Sequence, residues 1–140
     1  MAEPLRAITV RQPWAWAIVT GYKDVENRRN RTEHRGTLLI HAGLQLDPRG
    51  FVFLWELGLH KKLPDDLALG ALVGEVKLSD CRYGYNSEWA LPGNWQWILT
   101  GAKEFRNPLS CTGAQGFFFP DVSGHALGQT RRHAIGHRRR

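Results

Sequence analysis

Residues 71–78 read Ala71-Leu72-Val73-Gly74-Glu75-Val76-Lys77-Leu78, and this stretch decides the fold class. Leu72, Gly74, Val76 and Leu78 share one face of an extended chain, and Val73, Glu75 and Lys77 share the other. Such a period of two marks a strand with one covered face. Working outward, Gly36–Ala42 (GTLLIHA) reads as a buried strand, with Leu38 and Ile40 on one face and Leu39 and His41 on the other. His41 suits an interior, hydrogen-bonded position. Trp95–Leu99 (WQWIL) reads as a further strand with both tryptophans on one side. Ala7–Val10 suits a first strand, Lys23–Asn27 an extended segment, and 105–111, interrupted by Pro108, an edge strand or irregular piece. Gly116–Phe119 (GFFF) closes the folded part. One helix is expected to start at Pro13 and end at Gly21, a second to start at Asp47-Pro48 and end at Gly58. The second presents Phe51, Leu54 and Trp55 as its apolar face. Residues 82–94 read as a long loop, whose Tyr83, Tyr85 and Trp89 either stack on a ligand or pack back over the sheet, whereas Trp14, Trp55 and Trp97 are expected in the core. The short strands number about five or six and show no regular βαβ alternation, which predicts an α+β domain: a small β-barrel with packed helices.

The chain has 140 residues, of which 42% are hydrophobic and 23% charged, values suited to one folded domain. The formal net charge is +6, yet the five arginines of 123–140 (131, 132, 138, 139 and 140) account for almost all of it. That segment, SGHALGQTRRHAIGHRRR, has no acid and only Leu127 and Ile135 as large aliphatics, so a flexible basic tail is expected after a domain over 1–122. No apolar run approaches the ~18 residues of a membrane span, and no membrane partner is expected. The first residues, MAEPLRAITV, lack the look of an export signal, so a cytoplasmic protein with Cys81 and Cys111 reduced is expected.

The sequence carries no CxxC pair, no HExxH, no phosphate-cradling glycine loop and no GxSxG, so no metal and no cofactor are expected. What remains is Gly21-x-Lys23-x-x-Glu26-x-Arg28, followed by the basic stretch 28–35 (RRNRTEHR). A Lys–Glu–Arg set can hold an anion or read the polar edge of a base, and a desolvated lysine can accept a proton. On a continuous strand Glu26 and Arg28 point one way and Lys23 the other. A turn or bulge near Asp24–Val25 is therefore required to bring all three into one cleft, with Arg11 or Gln12 at its border.

Several segments together resemble the ASCH domain of the PUA-like superfamily. Ile8-Thr9-Val10-Arg11-Gln12-Pro13-Trp14-Ala15 is similar to its opening strand and helix start, and Gly21-Tyr22-Lys23-Asp24-Val25-Glu26-Asn27-Arg28 to its G-x-K-x-x-E-x-R signature. The strands 35–42 and 69–81, Trp95–Leu99, Pro108 and Gly113-x-Gln115-Gly116 follow in the family's order over about residues 7–120. The resemblance implies a PUA-like barrel with a cleft beside the signature, and RNA or nucleotide binding. Some members hydrolyse an acylated cytidine with a lysine, a threonine three positions later and a glutamate; ribonuclease activity is attributed to others. Here Lys23 is present, Glu26 stands where that threonine would be, and Glu75 offers a carboxylate.

Three functions follow as expectations. The first is an RNA-, nucleotide- or nucleoside-binding module, with Arg11, Gln12, Lys23, Glu26, Arg28 and Arg29 as ligand-binding residues. The alternative is a hydrolase of a modified nucleoside or of RNA, with Lys23, Glu26 and Glu75 as catalytic groups. A third is a protein-interaction domain whose tail binds an acidic partner.

Overall fold

The alternation at 71–78 is the heart of a longer strand, β4 (Ala71–Tyr83), which sits at the centre of a five-stranded sheet. The computed structural model describes residues 4–123, 125, 127 and 129–132. Its other strands are β1 (Arg6–Gln12), β2 (Val25–Arg28), β3 (Gly36–Leu46) and β5 (Trp95–Ser110). The helices are α1 (Trp14–Val19) and α2 (Pro48–Glu56), followed by a 3-10 turn at His60–Lys62. The sheet order is β1-β3-β4-β5-β2, with β1 parallel to β3 and all other pairs antiparallel. It is mixed and does not close: β1 and β2 remain its two edges.

Alternation puts Leu38 and Ile40 of β3, and Val76 and Leu78 of β4, into the main core with Ile18 and Val19 of α1. Full burial of each such side chain contributes about 1.5–3 kcal/mol. Gly74 lets α1 approach, because a Cβ there would lie 2.6 Å from Val19 Cγ1 and would also meet the Lys103 carbonyl. Another cluster, on Ala7, Leu39, Leu72 and Phe105, covers the other face, with Phe118 exchanging two backbone hydrogen bonds with Ala7. His41 is buried. Its Nε2 lies 2.8 Å from the Cys111 carbonyl, which can only accept, so Nε2 carries the proton and Nδ1 accepts from the Thr9 hydroxyl at 3.1 Å.

Four expectations change. Leu72 does not share a face with Val76 and Leu78: a register shift between Leu72 and Gly74 turns it into the cluster of Leu39 and Phe105, and Val73 joins Val76 and Leu78 in the main core. The 105–111 segment is no separate strand, because β5 runs through it, and Pro108 falls where the β4–β5 register shifts between Leu72 and Gly74. The bulge removes the need for a ladder N–H at the proline. The loop expected at 82–94 begins later, since β4 continues to Tyr83. Trp55 is not core: it is 64% exposed, because α2 buries the Gly50/Leu54 stripe and turns Trp55 outward against His60. Trp89, by contrast, packs back among Trp14 and Phe53. Much of 123–140 lies outside the described residues; within the described part, Gln129 and Arg131 hydrogen-bond to Arg106 and Glu104 of β5. Among the described residues no helix is long and apolar enough to cross a membrane.

Candidate functional site

The open seam between β1 and β2 holds a cavity of about 570 Å³. Thr9, Val10 and Arg11 line it from β1, and Glu26, Asn27 and Arg28 from β2. Lys23 enters from the connection after α1, Trp14 and Phe53 from the helices, and Glu88 and Trp89 from the 84–94 segment.

Local chemistry explains how the three signature residues meet. Gly21 adopts a φ of +91°, open to glycine, and ends α1. The chain then folds back, with the Lys23 amide donating to the Ala17 carbonyl at 2.8 Å. Lys23 therefore precedes the strand instead of belonging to it, and strand parity does not govern its direction. Its Nζ donates to the Val25 carbonyl at 2.6 Å, lies 3.9 Å from Glu26 Oε1 and sits 5.5 Å from the centre of a Trp14 ring. Glu26 Oε2 accepts from Arg28 Nε at 2.9 Å, and Arg28 Nη2 reaches across the seam to the Thr9 carbonyl at 3.1 Å. The guanidinium thus substitutes for strand pairing between the two edges. Burial lowers the Lys23 pKa from the usual lysine range, against the charges of Glu26 and Asp24, which raise it.

Neighbouring groups fix the walls. Asp47 accepts from Trp14 Nε1 at 2.9 Å, which orients the indole, and takes a two-point contact from Arg49 at 3.1 Å. Those bonds, led by the one from Arg49, hold the Asp47 pKa down at about 2. Asn27 donates to the Trp89 carbonyl at 2.9 Å and accepts from the Leu91 amide at 2.9 Å and from Gln96 Nε2 at 3.2 Å. It pins the 84–94 segment over the cavity.

Lys23, Glu26, Arg28 and Arg11 thus share one cavity wall; Gln12, Glu75 and Arg29 do not. Gln12 is fully buried and lines a separate 330 Å³ cavity, because the next residue along a strand faces the opposite side. Glu75 lies on β4, paired with Leu39 and Lys103, and the central strand is separated from the seam by β3 on one side and β5 on the other. Arg29 is exposed just past the end of β2. Sequence reasoning missed Asn27, Asp47 and the wall role of Trp14. Asn27 had a signal, being flanked by Glu26 and Arg28, whereas Asp47 read only as a helix cap. Among the described residues no three His, Cys, Asp or Glu side chains gather as metal ligands.

Comparison with known proteins adds to this geometry. Activating signal cointegrator 1 of Mus musculus is 38% identical over 80 residues, and that of Homo sapiens is 35% identical over 80 residues. The match takes in 53% of this chain but only 14% of either relative, so it concerns one segment of much longer proteins. The crystal structure of a point mutant of the ZmASCH protein from Zymomonas mobilis superposes with a TM-score of 0.52 at 17% identity, covering 84% of this chain and 91% of that one. That likeness concerns the fold, an α+β arrangement of the PUA-like kind whose sheet is open here between β1 and β2. The ASCH domain model matches residues 8–108, a span that includes the signature and reaches all five strands, and the chain belongs to the ASCH domain family.

Proposed function

We propose that the seam cavity binds the nucleobase of an RNA or nucleotide. The observation that carries this reading is a buried carboxylate, Glu26, flanked by the Lys23 and Arg28 donors within a cavity walled by Trp14. A carboxylate acceptor beside two cationic donors complements the mixed donor and acceptor edge of a base, and an indole face offers stacking worth about 1–3 kcal/mol. A cavity of 570 Å³ is in the size range of small-ligand sites. Membership of the ASCH family supports the same class of ligand. Calorimetric titration of nucleosides, nucleotides and short RNAs tests it. Arg28→Ala should weaken binding by about 1.5–3 kcal/mol, the range for a charge-assisted hydrogen bond, in a variant that retains the far-ultraviolet spectrum of the fold. Unchanged affinity in that folded variant would return Glu26 and Arg28 to the status of a structural ion pair.

The burial of Lys23 beside Glu26 on the cavity wall, which also pulls the Lys23 pKa down, favours a second reading, hydrolysis of an acylated nucleoside. A neutral lysine can take the proton from a water attacking the acyl carbon and pass it to the departing nucleoside nitrogen as the carbon–nitrogen bond breaks, which releases the carboxylic acid, with Glu26 holding the ammonium form in between. This version uses Lys23 and Glu26 and leaves Glu75 out. Turnover of N4-acetylcytidine by the native chain and its loss in Lys23→Ala would select this reading over binding alone.

A further inference from the structure

Four cationic side chains line the seam cavity, and three are already engaged. Lys23 is held by Val25 and Glu26, Arg28 by Glu26 and Thr9, and Arg49 is forked onto Asp47. Arg11 is the fourth. It stands exposed on the β1 side of the wall and has neither an ion-pair nor a hydrogen-bond partner among the described residues. The acids of the wall divide in the same way: Glu26 and Asp47 are paired, while Glu88, on the 84–94 segment, has no ion-pair partner among the described residues. The cavity therefore has a buried interior whose charges are internally compensated, and an accessible mouth with one uncommitted cation on β1.

That distribution selects among ligands. A phosphate cannot follow a base inward, because the interior already holds the Glu26 carboxylate and a dianion would lose its hydration there. It can remain at the mouth, where a free guanidinium offers a planar fork and keeps its own hydration. Glu88 repels it from the side of the 84–94 segment, which leaves β1. We infer that the ligand is a nucleoside monophosphate unit, its base in the seam and its phosphate held by Arg11. This rests on the nucleobase reading above and deepens it. The unit is either a free nucleotide or one residue of a single-stranded RNA.

The test is calorimetry at one fixed salt concentration, with the four ribonucleosides, their 5′- and 3′-monophosphates and a short single-stranded RNA, on the native chain, Arg11→Gln and Arg28→Ala. The native chain should bind one monophosphate about ten-fold or more tighter than its nucleoside, as expected for a charge-assisted contact. Arg11→Gln should erase that advantage and leave nucleoside affinity within about two-fold, while Arg28→Ala should weaken both and preserve their ratio. An oligonucleotide that shows the same Arg11 dependence and binds tighter than every mononucleotide assigns the unit to RNA; equal affinity assigns it to the free nucleotide. Equal binding of nucleoside and monophosphate by the native chain, or an advantage that survives Arg11→Gln, overturns the inference and leaves the base reading standing. Absence of binding by every probe overturns both.

Discussion

Two buried polar clusters flank the junction of β1 and α1, and they differ in how fully their hydrogen-bonding capacity is used. On one side Gln12 is tied at both ends: its Oε1 accepts from the Trp16 amide at 2.9 Å, and its Nε2 donates to the Ala68 carbonyl at 3.1 Å. It satisfies an otherwise orphaned amide in the first turn of α1 and ties the 57–70 connection to the sheet. On the other side Lys23 has three donor hydrogens and one short partner, and Arg28 has five, with Glu26 and Thr9 as its partners. The first arrangement engages both ends of a neutral amide and leaves one of its donor hydrogens over. The second retains donors facing a cavity, which is the condition for recognition. The lesson is that burial of a polar group does not distinguish scaffold from site; several unused charged donors converging on one cavity do.

The comparison can be broken most forcefully at Glu26. Glu26→Ala leaves Lys23 buried beside Arg28 without the carboxylate that compensates both, and unfolding stability should fall by about 3 kcal/mol, near the lower end for breaking a buried pair because Arg28 is partly open to solvent. Denaturant titration reads this directly, and a loss under about 1 kcal/mol would mean the cluster is far better solvated than its geometry indicates.

Gln12→Ala comes next. It orphans the Trp16 amide and the Ala68 carbonyl, and should cost about 2 kcal/mol of stability. Its nucleotide affinity should match that of the native chain. A variant that folds but binds differently would erase the division between the two clusters.

Asp47 sharpens the comparison by pH. Its folded pKa of about 2 lies below the ordinary 3.8, so the stability it contributes is fully present above about pH 4 and is lost as pH falls toward 2. Solvent screening of the exposed Arg49 keeps the amount to about 1 kcal/mol. Acid titration of stability should show this loss in the native chain and lack it in Asp47→Asn, whose amide can still cap α2. Identical acid profiles would remove Asp47 as the charged anchor of Trp14.

The strand at Ala71–Leu78 with Val76 and Leu78 on one face, the Asp47-Pro48 helix start and the Gly21 stop were legible because each is a local rule: side-chain parity, a cap, a positive φ. The faces of Leu72 and Val73 were not, because the register shift beside them depends on β5. The nearness of Lys23, Glu26 and Arg28 was legible only on condition of a turn, since neighbours in sequence meet through local geometry once the chain bends. Trp55 and Trp89 were not legible. Both are tryptophans among polar and apolar neighbours, and which of them is covered depends on how α2 and the 84–94 segment lie on the sheet.

By itself the sequence determined most of the elements, the family resemblance and the charge carried by residues 21–28, because these follow from residue order and periodicity. Tertiary structure alone decided that β1 and β2 stay unpaired, that Arg28 spans the gap to Thr9, that Asp47 orients Trp14 from 33 positions away, and that Glu75 stands on the central strand away from the seam. These relations join residues distant in the chain, and no local preference encodes them. They arise from how the sheet curls and which of its edges the packed helices leave apart.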